Sequence, residues 1–125
     1  MMQLAKTNDE LEHLMLDPSA NILRKVEDIK KALSVYGLAS DEIDDFAKSV
    51  EFRDIDGVKC WTTWKYDRIR KLLSEEEFSA FLAGFGLTLE LFYRMENRYC
   101  GQTSDGRPIC RELDGWVCFT NTCIL

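Results

Sequence analysis

Three Asp-Gly pairs constrain the fold of this 125-residue chain more than any other sequence feature. An Asp-Gly pair suits a two-residue type I′ turn, because both central residues of that turn need positive φ. The pairs lie at residues 56–57, 105–106 and 114–115, each between runs that we interpret as strands. They predict an antiparallel sheet built from tight hairpins.

The first Asp-Gly pair predicts a register as well as a turn, for a hairpin over residues 51–64. A two-residue loop fixes which residues lie opposite each other: Phe52 with Trp61, Asp54 with Lys59 and Val50 with Thr63. An aromatic pair and an opposite-charge pair in cross-strand positions support this register.

The other two pairs predict a C-terminal β-meander over residues 87–125. Within it, apolar residues alternate along 87–95, which favours a strand, whereas good helix formers behind a Thr88 cap leave a helix as the alternative. We predict the strand. Two-residue loops at both pairs then place Cys100, Arg111 and Cys118 in one row across three strands.

Residues 1–50 are predicted to be helical. Thr7 and Glu10 fit a capping box that opens a helix over residues 8–16. Asp17-Pro18 can start a second helix that runs to about Tyr36, since aspartate is a good N-cap and proline suits the first helical position. Steps of three and four residues place one apolar stripe on that helix: Ile22, Val26, Ile29, Leu33 and Tyr36.

A second helical segment is predicted over residues 65–86, where Ser74 and Glu77 form another capping box. The whole pattern predicts a single α+β domain, with N-terminal helices packed on an antiparallel sheet of Asp-Gly hairpins. The predicted core is Ile22, Val26, Ile29, Leu33, Phe46, Phe52, Trp61, Phe78, Leu82, Leu91 and Val117.

The densest charge cluster lies on a third predicted helix, which Ser40 caps and which covers residues 41–49. Acids are common at the exposed start of a helix, where they stabilise its dipole. They can also form a docking patch for a basic surface. The net charge of −6 favours a basic protein partner over nucleic acid. The candidate partner-binding residues are therefore Asp41, Glu42, Asp44 and Asp45.

Catalytic side chains are scarce. The only histidine, His13, stands among charged residues, so paired-histidine metal sites are excluded and a histidine-dependent nucleophile would have to recruit this one. The sequence contains no glycine-rich phosphate loop. We predict a protein that is not an enzyme and that has no cofactor, no metal and no catalytic residues.

Four of the five cysteines fall in the last 26 residues. Their spacing lacks the CxxC knuckles of a structural zinc site. The predicted row would separate Cys100 from Cys118 by about 9–10 Å, too far for a disulfide, while Cys123 could reach either neighbour. The start of the chain carries no export signal, which favours a cytoplasmic protein with reduced, structural cysteines; a disulfide remains the alternative.

One resemblance concerns residues 77–98. Glu77-Phe78, seven residues and then Gly86-Leu87-Thr88 resemble the opening of phage-repressor-type helix-turn-helix domains, and Met95-Glu96-Asn97-Arg98 resembles the end of their recognition helix. The segment departs from that pattern, because the spacing is too short for the full helix pair and residues 89–94 are mostly apolar. The resemblance implies DNA binding, helped by the basic residues Lys65, Arg68, Arg70 and Lys71.

The sequence thus predicts a small acidic non-enzymatic protein-binding module. An inhibitor, immunity or anti-defence-type protein that masks a basic surface of its partner fits this description. A helix-turn-helix-like nucleic-acid-binding regulator is the alternative. No apolar run approaches the roughly 20 residues of a membrane span, so no membrane partner is expected. The oligomeric state stays open.

Overall fold

The computed structural model describes residues 4–124, and in them seven helices accompany a four-stranded antiparallel sheet of order β1-β2-β4-β3. This arrangement confirms the predicted α+β class. Residues 1–3 of the predicted helical segment and residue 125 of the predicted β-meander lie outside the described residues. In chain order the elements are α1 (Asn8–Leu16), α2 (Val26–Ser34), α3 (Ser40–Ser49), β1 (Glu51–Ile55), β2 (Val58–Lys65), α4 (Asp67–Leu72), α5 (Glu75–Ala83), α6 (Leu89–Met95), β3 (Glu96–Gln102), β4 (Pro108–Cys118) and α7 (Thr120–Ile124).

Side-chain caps start two helices where the sequence predicts them. The Thr7 hydroxyl accepts the Glu10 N–H at 3.1 Å and opens α1. At the start of α5, the Ser74 hydroxyl accepts the Glu77 N–H at 3.1 Å, and the Glu77 carboxylate accepts the Ser74 N–H at 2.9 Å. The predicted Ser40 cap is wrong, because Ser40 is the first residue of α3 and its cap residue makes no side-chain bond.

Helix α2 is shorter than the predicted helix over residues 18–36. The Asp17 carboxylate accepts both the N–H and the O–H of Ser19, at 3.0 and 2.7 Å, and holds a turn where the helix was expected to start. The Leu23 N–H then donates to the Gly84 carbonyl at 2.7 Å. These bonds keep residues 17–25 irregular, so the helix begins only at Val26, whose side chain is exposed rather than in the core.

The β1–β2 hairpin has a two-residue turn in which Asp56 and Gly57 have φ of 53° and 79°. Phe52 lies opposite Trp61 and Asp54 opposite Lys59, the register that this turn predicts. Beyond Phe52 the register shifts and Glu51, not Val50, lies opposite Thr63, because Thr62 is an extra residue in β2.

The bulge at Thr62 has a direct consequence for the core. Side chains of a regular strand alternate between faces, so residues three apart would point in opposite directions. The extra residue instead allows Trp61 and Trp64 to be fully buried on the same side, with ring centroids 5.8 Å apart. Phe85 stacks on Trp64 at 4.7 Å, and Phe46 packs edge-on against the same indole.

Most predicted core residues are buried, and three are not. Ile22 and Phe52 are partly buried against the core, and Val26 is exposed. The buried members are Ile29, Leu33, Phe46, Trp61, Phe78, Leu82, Leu91 and Val117. The bulkiest buried side chains that the predicted core leaves out are aromatic: Trp64, Tyr66, Phe81, Phe85, Phe92 and Phe119.

The predicted strand over residues 87–95 is wrong, since α6 occupies residues 89–95. The Thr88 hydroxyl accepts the Leu91 N–H at 3.2 Å and caps this helix. Leu91, Phe92 and Met95 are buried, at the spacing of one helix face. The alternating apolar pattern therefore belongs to an amphipathic helix.

The predicted β-meander is also wrong, because β3 and β4 form one long hairpin and the chain ends in α7. A five-residue loop over 103–107 joins the strands, closed by the Thr103 N–H to the Arg107 carbonyl at 2.8 Å. The Asp114-Gly115 pair is not a turn: it lies inside β4, where the register shifts between Glu96↔Val117 and Arg98↔Glu112. No helix within residues 4–124 is both long and apolar enough to cross a membrane.

Candidate functional site

The four predicted partner-binding acids lie on α3, and two of them are paired within the chain. The Glu42 carboxylate accepts three hydrogen bonds from the Arg68 guanidinium at 2.6–3.1 Å. These bonds lower the pKa of Glu42 and raise the pKa of Arg68. Asp44 forms an ion pair with Lys30 at 3.1 Å. Glu42 and Asp44 are therefore each paired with a basic side chain of the same chain, which reduces the charge they offer to a partner.

The remaining negative charge gathers around the start of α4. Asp41 and Asp45 are exposed on α3. Asp67 and Asp41 both add to the field that raises the pKa of Arg68, so three carboxylates surround one guanidinium. A pocket of about 460 Å³ opens between α3 and α4, with Asp45, Asp67 and the base Lys65 in its wall. We call Asp41, Glu42, Asp45, Asp67 and Arg68 the acidic face.

Sequence reasoning missed Asp67 as part of this surface. It lies 22 positions after Asp45 and belongs to the segment that the sequence identifies as basic. The alternation of signs in Asp67-Arg68 is too common a pattern to identify it. Only the packing of α3 against α4 brings its carboxylate beside those of α3.

The predicted basic patch is partly neutralised by the chain itself. Arg68 belongs to the acidic face, and Arg70 donates to the Glu96 carboxylate at 3.2 Å. The Arg70 guanidinium also lies over three aromatic rings, those of Phe78, Phe92 and Tyr93, at 5.5–5.9 Å from their centroids. These contacts hold Arg70 on the surface, against rings of α5 and α6.

The segment that resembles a helix-turn-helix contains two short helices, α5 and α6, joined by a turn at residues 84–88. The expected end of a recognition helix at residues 95–98 is wrong, because α6 ends at Met95 and Glu96 begins β3. The exposed residues of α6 are Glu90, Tyr93 and Arg94, and Arg94 lies 4.0 Å from Glu90. The face that a recognition helix would offer to DNA thus carries one acid, one base and one tyrosine.

The structure places His13 on the surface and Cys60 in the core. His13 is exposed on α1, whose buried face carries Leu11 and Met15. Cys60 is a buried free thiol, with its sulfur 3.7 Å from the Met15 carbonyl. Burial raises the pKa of Cys60, the opposite of what an attacking thiolate needs.

The four C-terminal cysteines come together at the β3–β4 hairpin. Cys100 lies directly opposite Cys110, so the predicted row of Cys100, Arg111 and Cys118 is wrong. Two disulfides, Cys100–Cys123 and Cys110–Cys118, replace the predicted reduced thiols. The sulfurs of Cys100, Cys118 and Cys123 all lie within 4.8 Å of one another. We call these four residues the cysteine cluster.

A bend in the hairpin brings these cysteines together. Asn97 and Gly115 both have positive φ, 63° and 87°. The Asn97 side-chain oxygen accepts the Tyr66 hydroxyl at 2.8 Å and the Gly115 N–H at 3.2 Å, which ties the two bent strands to the end of β2. The bend turns the outer part of the hairpin towards β1 and β2.

A groove of about 940 Å³ separates the outer hairpin from β1 and β2. The Tyr99 hydroxyl crosses it to the Glu51 carboxylate at 3.0 Å. Arg53 donates to the carbonyls of Thr122 and Cys123, at 3.1 and 2.8 Å, and so holds α7 close to the groove. Cys100 and Arg111 also line this space.

Comparison with models of protein families, with curated proteins and with solved structures finds no match for the chain. Two features carry chemistry: the acidic face between α3 and α4, and the cysteine cluster beside the groove.

Proposed function

We propose that the protein is a non-enzymatic module that binds the basic surface of a partner protein through its acidic face. The role resembles that of an inhibitor, immunity or anti-defence-type protein, which works by covering a surface. The observation that supports it is the excess of carboxylates at one place. Asp41, Asp45 and Asp67 lie around a Glu42–Arg68 pair that neutralises only itself, and they outnumber Lys65, which lines the same pocket.

The Glu42–Arg68 pair gives this surface order. A guanidinium that meets a carboxylate through two nitrogens is held in a defined plane. It links α3 to α4 and thereby fixes the spacing between the acids on the two helices. An ordered charged surface loses less conformational entropy when a partner binds.

The charge of the acidic face selects the partner. Exposed carboxylates attract lysine- and arginine-rich surfaces, speed their association and repel other acidic proteins. Because these charges are exposed, salt screens the attraction over about 8–10 Å at physiological ionic strength. A partner held here is therefore basic, and its association slows as salt rises. Glu42 and Asp44 support this surface through their own ion pairs.

Charge-matched variants test the proposal. Asp41→Lys with Asp45→Lys reverses the acidic face, and Asp9→Lys with Glu90→Lys makes the same change in net charge at exposed acids on α1 and α6. Immobilised wild type and both variants are used to capture proteins from the native host lysate, and quantitative mass spectrometry identifies what is retained. The purified candidate partner then gives association rates across a range of salt.

The expected result is a basic protein that wild type and the control variant retain and that the acidic-face variant loses. Its association rate with the acidic-face variant should fall about tenfold or more at low salt, and the difference should shrink at high salt. Equal rates for the two charge-matched variants would refute the acidic face as the binding site.

A nucleic-acid-binding regulator is a second candidate, favoured by one observation: two helices, α5 and α6, follow each other across a short turn. Arg94 is the exposed base on α6. If α6 reads DNA, the wild type should retain mixed duplex on a filter at low salt, with binding that falls steeply as salt rises, and Arg94→Glu should abolish it. Absence of retention at low salt excludes this role.

A further inference from the structure

The cysteine cluster brings four sulfurs from three elements into one place. Cys100 comes from β3, Cys110 and Cys118 from β4, and Cys123 from α7. The sulfurs of Cys100, Cys118 and Cys123 lie within 4.8 Å of one another, and Cys110 is bonded to Cys118. The two disulfides, Cys100–Cys123 and Cys110–Cys118, therefore lie next to each other.

We propose that these four cysteines, in their reduced form, bind one zinc ion as four thiolates. Zinc prefers a tetrahedron of sulfurs at about 2.3 Å, which places the sulfurs roughly 3.8 Å apart. Two unbonded separations, Cys100 to Cys118 and Cys118 to Cys123, already lie within 4.8 Å, and Cys110 is held beside them by its bond to Cys118. To reach the zinc geometry, the two sulfurs of each opened disulfide have to separate by roughly 2 Å.

The backbone holds the cluster together without help from the disulfides. The β3–β4 pairing sets Cys100 opposite Cys110, and the β2–β4 pairing sets Cys118 opposite Thr63. At α7, the Thr122 hydroxyl bonds the carbonyls of Trp61 and Phe119 at 3.1 and 3.0 Å. Reduction therefore leaves the four side chains close to their present positions, which lowers the entropy that zinc binding must overcome.

Positive charge beside the cluster suits a thiolate site. Four thiolates and one Zn²⁺ carry a net charge of −2, which needs a counter-charge in a partly buried place. Arg53 lies against the Cys123 carbonyl at 2.8 Å, and Arg111 follows Cys110 on β4 and lines the same groove. These two guanidinium groups supply positive charge on the side of the groove where the cluster lies.

When zinc binds, the protons of the cysteine thiols are replaced by the metal ion. Four thiols release four protons and bind one Zn²⁺, so affinity should increase with pH until the thiols are deprotonated. Starting from the disulfides, a phosphine supplies two electrons to each S–S bond and leaves as its oxide, with oxygen taken from water. No other reactant is needed.

Cobalt is the probe, because tetrahedral Co²⁺–thiolate sites absorb strongly while zinc sites are silent. The full chain is reduced with a phosphine under anaerobic conditions and titrated with Co²⁺, and Zn²⁺ is then added to displace it. We expect one Co²⁺ per chain, with visible bands of a tetrahedral site and a charge-transfer band whose intensity corresponds to four thiolates. Zinc should then bleach both.

Single substitutions assign the ligands. Cys110→Ser and Cys123→Ser should each weaken zinc binding by on the order of 100-fold, since each removes one of four ligands from a site that stabilises the fold. Cys60→Ala is the matched control, because Cys60 is a buried cysteine outside the cluster, and it should bind like wild type. Circular dichroism of each reduced variant reports whether it folds.

A reduced wild type that binds no Co²⁺, or that binds it with fewer than four thiolates, overturns the proposal. So does equal zinc affinity in wild type and in both serine variants. If a serine variant does not fold, the wild-type charge-transfer intensity still counts the thiolates, and release of zinc in step with alkylation of four thiols decides the question.

Discussion

Arg24 joins three parts of the molecule, and its replacement provides a sharp test of the fold. One of its nitrogens donates to the carbonyls of Met15 and Lys59, both at 2.9 Å, and the other donates to the Asp17 carbonyl at 2.7 Å. These bonds tie the end of α1 to the irregular segment 17–25 and to β2. Arg24→Met keeps the apolar stem of the side chain and removes all three bonds.

The size of the effect follows from these contacts. A hydrogen bond from a charged donor contributes about 1.5 kcal/mol to stability. Against this, the Nε atom of Arg24 is buried without a hydrogen-bond partner, and its removal recovers about 1 kcal/mol. For three bonds, the expected net loss for Arg24→Met is about 3.5 kcal/mol. In a domain of this size, that loss lowers Tm by about 10 °C.

Urea unfolding followed by tryptophan fluorescence, without reductant, measures this loss. Arg24→Lys retains one charged donor and should recover about a third of it. Lys25→Met, at the exposed neighbouring position, controls for the removal of one positive charge and should change stability by less than about 0.5 kcal/mol. If Arg24→Met loses less than about 1 kcal/mol, the three bonds do not organise this region as the structure indicates.

Two further predictions concern Gly86 and Tyr66. A Cβ on Gly86 would lie 2.6 Å from a Leu14 methyl and needs a φ of +81°, so Gly86→Ala should cost at least about 2 kcal/mol in a thermal melt. Gly106→Ala shares the positive φ but has open space, so it should cost only about 1 kcal/mol; equal losses would contradict the clash. Burial, with help from Glu96, raises the pKa of Tyr66 to about 12. The unfolded chain releases that proton near pH 10, so stability should fall by up to about 2 kcal/mol between pH 10 and 12. Tyr66→Phe should flatten this fall in alkaline urea titrations, and an unchanged slope would contradict the assignment.

Signals contained within a few residues predicted local structure well. The capping residues Thr7 and Ser74 bond to N–H groups three positions away, so the sequence itself places both partners. The same holds for the Asp56-Gly57 turn, which joins strands that are adjacent in the chain. In each case the energy that decides the conformation comes from nearby residues.

Long-range bonds explain where prediction failed. The Leu23 N–H bonds to Gly84, and this contact helps to hold open the segment that was expected to be helical. Thr88 both caps α6 and donates its hydroxyl proton to the Ala5 carbonyl at 2.9 Å, far away in the chain. Periodicity along one segment contains no information about such partners, so it predicted a helix that is too long and a strand that is a helix.

The acidic site was only partly predictable for the same reason. Composition identifies α3 as acidic, but it does not show that Lys30 neutralises Asp44 or that Arg68 neutralises Glu42. The pairing follows from the packing of α3 between α2 and α4. Because of this packing, Glu42 and Asp44 contribute less negative charge to the surface than predicted, and Asp67 contributes charge that was not predicted.

The three Asp-Gly pairs show what a short motif determines. Their glycines share positive φ of 79°, 87° and 87°, yet they form a two-residue turn, part of a longer loop and a bulge within a strand. The Asp-Gly dipeptide thus favours a positive φ at its glycine, whereas contacts with other parts of the chain determine whether a turn, a loop or a bulge forms there. At Gly115 the surroundings are Asp67, which a Cβ would meet at 3.1 Å, and the Asn97 side chain. A two-residue turn at this point would have kept Cys100 and Cys118 on separate strands with a third between them. The bulge instead keeps residues 108–118 in one strand, and the cysteine cluster exists because of it.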